Sequence, residues 1–155
     1  MRWRAEKDYA PPMARTVDDD EGIRAILTRC RTIAVVGVHH EPHRAAFYVP
    51  DYLRSVGYRV LGVNPALAGR ELFGETVVAT LGDLTEPVDL VDVFRRSDRV
   101  PDHLEQLLAM RPLPSVVWLQ LGIRHDATAA ALVEAGVDVV QDRCTLADHR
   151  RLLGA

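Results

Sequence analysis

Short apolar runs alternate with amphipathic segments along this chain from Thr32 onward. The apolar runs have the continuous hydrophobic pattern of strands that are covered on both faces of a sheet. The segments between them carry apolar residues at helical spacing. Five strands are predicted: Thr32–Gly37, Arg59–Val63, Val88–Phe94, Ser115–Leu121 and Val137–Gln141.

The first predicted helix begins at an acidic run, Asp18–Glu21, and turns Ile23, Ile26 and Leu27 to one face. Negative side chains stabilise the amino end of a helix through its dipole. A metal site is the alternative interpretation of the run. The start of a helix on a solvated face is preferred, because charge clusters are usually of that kind.

The remaining helices are predicted from apolar spacing and from glycine and proline signals. One lies near Phe47–Val56 and ends at Gly57, and its Pro50 is expected to be tolerated because it falls in the first turn. Another begins at Pro101, one runs from about Asp126 to Gly136, and a short helix closes the chain. A short extended segment is predicted at Thr76–Val78.

Strands separated by helices of this length predict an α/β protein with a five-stranded, mostly parallel sheet and helices on both faces. A chain of 155 residues is sufficient for one domain with a real core. Residues 1–16 are polar and are predicted to form a loosely held arm, and residues 17–155 the ligand-binding domain.

The composition, 48% hydrophobic and 26% charged with a net charge of −3, is typical of a soluble globular protein. The charge offers no broad attraction to nucleic acid or to anionic membranes, so any anion site must be local. No apolar run approaches the roughly 20 residues that span a bilayer. Two distant cysteines and the absence of an apolar leader pattern favour a reducing cytoplasm.

Gly37 ends the first strand where the chain must turn sharply into a histidine-rich loop and then a helix. This order places free backbone N–H groups at a helix amino terminus, which suits a phosphate group. The second and third glycines of the dinucleotide fingerprint are missing, and Asn64 stands where an NAD site needs an acidic residue. The pattern therefore favours a phosphorylated ligand other than plain NAD.

Ligands of open parallel sheets bind beyond the carboxyl ends of the strands, where the strand order reverses. The residues that follow each strand are therefore expected to meet at one edge. Three arginines there, Arg44, Arg95 and Arg96, can contact phosphates; the alternative is that they pair with Asp51, Asp92 or Asp98 at the surface. The five segments are Gly37–Arg44, Asn64-Pro65, Phe94–Arg96, Gln120–Ile123 and Asp142–Cys144.

Three histidines in the loop, His39, His40 and His43, invite a metal interpretation, but their spacing matches no helical or hairpin ligand pattern. His39 and His43 are better candidates for hydrogen bonds to a pyrophosphate. Cys144 could be a nucleophile served by His149, or a small thiol packed under the cleft, and the second interpretation is preferred. No familiar catalytic motif is present, so binding is predicted rather than catalysis.

Several blocks of the sequence, in this order, resemble the small bacterial and archaeal CoA-binding proteins. These are stand-alone relatives of the CoA-binding domain at the amino end of the succinyl-CoA synthetase alpha subunit. The matching blocks are Ile33–Gly37, His43–Pro50, Gly57–Val60, Val63–Pro65, Glu71–Glu75, Pro87–Arg95, Val117–Arg124 and Asp142–Cys144. The chain departs from the family pattern at Thr145 and Leu146, where a lysine or proline is usual.

The resemblance implies a Rossmann-like fold that binds coenzyme A with its nucleotide end in the cleft. It implies that the loop after the first strand meets the phosphates, that Asn64 and Pro65 flank the adenosine, and that Phe94 and Arg95 wall the site. It does not imply ligase activity, because nothing here supplies the catalytic histidine of the synthetase. The predicted ligand-binding residues are Gly37, Val38, His39, His43, Arg44, Ala45, Asn64, Pro65, Phe94, Arg95, Gln120, Gly122 and Ile123.

Three hypotheses follow for the function. The first is a cytoplasmic module that binds CoA or an acyl-CoA without chemistry of its own, with no nucleic-acid or membrane partner. The second is a nicotinamide-dependent oxidoreductase that uses the same cleft. The third gives Cys144 a redox role, such as a mixed disulfide with the CoA thiol.

Overall fold

Strands and helices alternate through residues 13–154, which are the residues that the computed structural model describes. The α-helices are α1 (Asp20–Arg29), α2 (Ala45–Ser55), α3 (Leu104–Ala109), α4 (Asp126–Glu134) and α5 (Thr145–Leu153). The strands are β1 (Thr32–Val36), β2 (Arg59–Val63), β3 (Glu71–Leu72), β4 (Glu75–Thr76), β5 (Leu90–Val93), β6 (Val116–Leu119) and β7 (Asp138–Val140). Short 3₁₀ helices cover Pro65–Leu67, Leu81–Asp83 and Ser97–His103.

Five strands form one parallel sheet in the order β2-β1-β5-β6-β7. This confirms the predicted α/β class and Rossmann-like architecture. The second strand has the predicted bounds, and the other four are shorter than predicted. The extended segment predicted at Thr76–Val78 is divided between the antiparallel β3–β4 hairpin and a bridge from Val78 to Val63.

Two hydrophobic layers cover the sheet because successive side chains of a buried strand point to opposite faces. Val35, Leu90 and Trp118 pack with α1, α2 and α5 on one face. Ala34 and Val117 belong to the other face, which α3 and α4 cover. Among the described helices, none combines the length and the apolar character needed to cross a bilayer.

The outer edge of β7 is paired by the segment that precedes α1. The Val17 N–H donates to the Val139 carbonyl at 2.8 Å, and the Val139 N–H donates to Arg15 at 3.1 Å. The last residues of the predicted arm are thus tied to the sheet, and residues 1–12 of that arm lie outside the described residues.

The acidic run before α1 acts as the start of a helix. Asp19 is the N-cap, and its side chain accepts the Gly22 N–H at 3.0 Å. Asp20 pairs with Arg151 of α5 at 2.9 Å. The preferred interpretation of this run, helix-start chemistry, is confirmed by the cap.

Pro50 does not lie in the first turn of its helix, so the sequence-based expectation is wrong on this point. Because α2 begins at Ala45, Pro50 is its sixth residue and cannot donate the usual hydrogen bond to the Ala46 carbonyl. The His39 N–H donates to that carbonyl instead, at 3.2 Å. The proline therefore frees an acceptor that holds the loop before the helix.

Candidate functional site

The strand order reverses between β1 and β5. From β1 the chain passes to β2 on one side, and it later returns to β5 on the other side. A crevice forms beyond the carboxyl ends of parallel strands at such a point, and ligands of open α/β sheets bind there. Two cavities occupy this edge of the molecule, an open outer cleft and a deeper inner cavity.

Gly37 fixes the geometry of the crevice floor. Its φ of 85° lies in the left-handed region, and a Cβ placed on it would overlap the Phe94 carbonyl oxygen. Its N–H donates to the Val63 carbonyl at 2.9 Å, while the Phe94 N–H donates to Val36 at 2.8 Å. The three strand ends thus approach so closely that only a residue without a side chain fits between them.

The loop after Gly37 is held by hydrogen bonds from other elements. The Asn64 amide donates to the Val38 carbonyl at 2.8 Å. Within the loop, the Glu41 N–H donates to His39 Nδ1 at 3.0 Å. Because a backbone N–H can only donate, this Nδ1 must be the bare nitrogen of a neutral ring, and the proton of His39 resides on Nε2.

The amino end of α2 faces the outer cleft with unpaired amides. Arg44 is the N-cap residue and makes no capping hydrogen bond with its side chain. In the part of the chain that the structure describes, the Ala45 and Ala46 N–H groups have no hydrogen-bond partner. Free amides at a helix amino end, together with the helix dipole, attract anions.

The outer cleft has a volume of about 530 Å³. It contains three arginines with different surroundings: Arg44 lies 3.6 Å from Glu41, and Arg96 lies 3.5 Å from Asp98. Arg95 has no carboxylate within 4 Å among residues 13–154, so its charge is available to a ligand. The cleft is lined by Gly37, His39, Arg44, Ala45, Ala46, Phe94, Arg95, Arg96, Ser97, Gly122 and Ile123.

The inner cavity, of about 170 Å³, opens beside the ends of β1 and β2 and shares Gly37 and Arg95 with the outer cleft. His103 lines it, and burial, followed by the charge of Arg95, lowers the pKa of its imidazole. The Gln106 side-chain oxygen accepts the Leu81 N–H at 3.1 Å, and this hydrogen bond does not use the side-chain NH₂ group. Its lining is Val36, Gly37, Val63, Asn64, Pro65, Ala79, Thr80, Leu81, Arg95, His103 and Gln106.

Most of the predicted ligand-binding residues come together at this edge. The outer cleft contains Gly37, His39, Arg44, Ala45, Phe94, Arg95, Gly122 and Ile123, and the inner cavity adds Asn64 and Pro65. Val38 and His43 line neither cavity. The Val38 side chain is buried in the core, and the exposed His43 ring lies 3.4 Å from Glu41.

The Gln120 and Asn64 side chains are held by hydrogen bonds within the protein. Gln120 is 4% exposed, and its Oε1 accepts two hydrogen bonds from Thr145, so this oxygen does not serve a ligand. Asn64 accepts the Ala66 N–H at 2.9 Å besides binding Val38, so its amide mainly holds the loop. Both residues stand after a strand as predicted, but neighbouring backbone and side chains use their polar groups.

Sequence reasoning missed the residues that close the inner cavity from outside the five main strands. Thr80 arrives there because Val78 bridges to the end of β2, and a capping box with Asp83 then starts a 3₁₀ helix. The Thr80-x-x-Asp83 spacing is a recognisable helix-start signal. His103 and Gln106 lie one turn apart across the junction into α3, and no signal in the sequence pointed to them.

The two cysteines lie apart from the cavities. Cys30 is buried, and burial raises the pKa of its thiol to about 12. Cys144 is the N-cap residue of α5, is only partly exposed and lines neither cavity at the switch point. Within residues 13–154 no hydrogen bond joins His149 to it, and His149 Nδ1 lies 2.8 Å from the Tyr52 hydroxyl.

A parallel sheet with a crevice at its switch point, beside a helix amino end with unpaired amides, has the architecture of the Rossmann-like class. The family model described as a CoA binding domain matches residues 31–150. The chain belongs to this family.

Similar proteins occur in Bacillus subtilis, Thermus thermophilus and Pyrococcus horikoshii. The Bacillus subtilis (strain 168) protein YneT is 34% identical over 127 residues, which are 82% of this chain and 91% of that protein. The structure of cell-free ID.343 from Thermus thermophilus is 54% identical with a TM-score of 0.83 and covers 88% of this chain and 100% of its own. A hypothetical protein from Pyrococcus horikoshii OT3 is 32% identical with a TM-score of 0.82, covering 94% and 100%.

Replacing Gly37 by alanine tests the close approach at the crevice floor. The left-handed backbone costs a residue with a side chain roughly 1–2 kcal/mol, and the overlap with the Phe94 carbonyl adds to that cost. We expect Gly37→Ala to lower the free energy of unfolding in urea by at least about 2 kcal/mol. Gly69→Ala is the matched control, because Gly69 has a φ of 90° and open space around it. Equal losses in the two variants would contradict the close approach.

Proposed function

We propose that this protein binds coenzyme A or an acyl-CoA across the two cavities, as a binding or sensing module. The observation that carries the proposal is that the cavities meet at Gly37 and Arg95, beside the unpaired amides of α2. A nucleotide in the inner cavity would then direct its pyrophosphate at the helix end and the guanidinium group. The family match supports CoA as the ligand.

The charges around the cavities favour a ligand with several phosphates. No carboxylate is among the residues that line either of them, whereas Arg44, Arg95 and Arg96 line the outer cleft. A plain NAD site needs an acidic side chain for the ribose hydroxyls, and Asn64 stands at that position with its amide already engaged. A phosphate on the ribose avoids this requirement and gains from the cations.

The outer cleft supplies room for the remainder of the ligand. It is wide and open, and it extends from the amino end of α2 to Gly122 and Ile123 beyond β6. Phe94 and Ile123 offer apolar surface for the pantetheine arm. Because the cleft is open to solvent at this end, an acyl group on the thiol would not be excluded by shape.

The proposal predicts that the 3′-phosphate contributes strongly to affinity. Charge-assisted hydrogen bonds contribute about 1.5–3 kcal/mol, and each 1.4 kcal/mol is tenfold in affinity. We therefore expect dephospho-CoA to bind roughly 10- to 100-fold more weakly than CoA in isothermal titration. NAD and NADP serve as comparison ligands. Equal affinities for CoA and dephospho-CoA, or preference for NAD, would count against the proposal.

Arg95 is expected to be the principal cation of the site, because it lines both cavities and has no carboxylate partner among the described residues. Arg95→Ala should weaken CoA binding by roughly 10- to 100-fold. The control is Arg99→Ala, since Arg99 lies outside both cavities, 3.6 Å from Asp102. A similar loss in the control variant would show that overall charge, and not this position, determines affinity.

The two nitrogens of His39 are expected to have separable roles, which asparagine and glutamine substitutions can distinguish. Nδ1 accepts the Glu41 N–H, and the protonated Nε2 is the atom available to donate to a phosphate in the outer cleft. His39→Asn places an acceptor near the Nδ1 position and should keep the stability while weakening CoA binding several-fold. His39→Gln places a donor near the Nε2 position but loses the loop bond, and should lower stability by about 1 kcal/mol. Unchanged binding in His39→Asn would exclude the donor role.

A further inference from the structure

Asp92 lies in the middle of the sheet with no cation to balance it. It is a residue of β5, directly opposite Val35 of β1 and Trp118 of β6, and it is fully buried. Its Oδ1 has no hydrogen-bond partner within residues 13–154, and its Oδ2 lies 3.1 Å from the Thr145 hydroxyl. An ionised carboxylate in such a place would be strongly unfavourable.

The hydrogen bonds around Thr145 indicate where a proton must be. Its hydroxyl oxygen lies within 3.1 Å of Asp92 Oδ2 and 3.0 Å of Gln120 Oε1, both of which are acceptors when Asp92 is ionised. One hydroxyl proton cannot serve both oxygens well. If Asp92 carries a proton, it donates to Thr145, and Thr145 donates to Gln120, so that both short contacts become full hydrogen bonds.

Two ionisable side chains of the neighbouring elements are hydrogen-bonded to groups other than Asp92. Arg143, which precedes α5, donates to Asp148 of that helix at 2.7 Å. His149 is hydrogen-bonded to Tyr52 of α2. Burial raises the pKa of the Asp92 carboxyl to about 8, against a smaller lowering effect of the Thr145 hydrogen bond. The electrostatic surroundings therefore agree with the proton that the geometry requires.

This buried cluster adjoins the far wall of the outer cleft, which consists of Gly122 and Ile123. The Ile123 N–H donates to the Gln120 carbonyl at 2.9 Å. On the other side, Asp142 accepts the Gly122 N–H at 2.6 Å and donates its own N–H to Ile123 at 3.0 Å. The cluster is therefore linked to the wall in two ways: through Gln120, which precedes Gly122 by two residues, and through Thr145, which follows Asp142 by three residues.

We propose that Asp92 is a positioning residue, a neutral carboxylic acid whose proton holds the far wall of the outer cleft in place. Loss of this proton would leave a charge in the core and turn the Thr145 hydroxyl to donate to Asp92. Gln120 would then keep only the hydrogen bond from the Thr145 N–H, and the wall would be held less firmly. The importance of the wall for a ligand rests on the proposed function, whereas the protonated state and the position of the wall do not.

The sign of the pH dependence follows from a folded-state pKa above the unfolded value. The folded state then binds more protons, so stability falls as the pH rises from about 4 to about 8 and is level above that range. Asp92→Asn keeps the shape and can donate to Thr145, but it does not titrate. We expect the folding equilibrium constant of Asp92→Asn, relative to the wild type, to rise by nearly tenfold per pH unit between pH 5 and 7.

Two spectroscopic measurements on the ligand-free protein test the mechanism directly. The infrared difference spectrum between the wild type and Asp92→Asn at pH 6 should show the carbonyl band of a protonated carboxylic acid. The backbone amide signals of Gly122 and Ile123 should shift between pH 7 and 9.5 in the wild type and stay in place in Asp92→Asn. Absence of the band, or equal shifts in both proteins, would overturn the proposal.

A second pair of variants guards against a protein that fails to fold. Thr145→Ser keeps the hydroxyl and should retain the wild-type pH profile, whereas Thr145→Val removes it and should be much less stable. CoA titration then separates the two proposals. If the band and the amide shifts are as expected but neither the wild type nor the variants bind CoA, the proposed function fails and the role of Asp92 stands. If the stability of the wild type does not change between pH 5 and 8, the role of Asp92 is contradicted, whereas the proposed function is not affected.

Discussion

The site depends on the close contact between the turn after β1 and the carboxyl end of β5. At Gly37 the backbone passes so near the Phe94 carbonyl that no side chain is tolerated, and the same turn donates to the end of β2. This contact places three strand ends at one point and opens the crevice on either side of it. The inner cavity and the outer cleft both border Gly37 for this reason.

The loop after β1 contains only one of the glycines expected of a dinucleotide site, and polar contacts hold it instead. Pro50 withdraws a donor from the interior of α2, and the freed Ala46 carbonyl binds the loop through the His39 N–H. Asn64 holds the loop from the other side through Val38. The missing hydrogen bond at Pro50 and the Asn64 side chain therefore do what additional glycines do in a glycine-rich turn, which is to fix the path of the loop. Among the described residues, the first amides of α2 stay unpaired.

Below the site, polar groups in the core link the strands to the last helix. Gln120, which looks in the sequence like a ligand-facing residue, is used to join β6 to the start of α5 through Thr145. A buried carboxyl beside them is compatible with a stable core only when it is neutral or well paired. The wall of the cleft and the interior of the protein are in this way parts of one hydrogen-bonded assembly.

The sequence by itself determined the class of fold, the edge of the sheet at which the two cavities lie, and most residues that line the outer cleft. It could do so because the hydrophobic period sets strand and helix order, and parallel strands bring their carboxyl ends to one edge. Only the tertiary structure decided that Gln120 and Asn64 direct their amides into the protein, and that His103 and Gln106 complete the inner cavity. Those outcomes depend on which partners lie within hydrogen-bond distance across elements far apart in the chain. Local spacing contains no information about such distances.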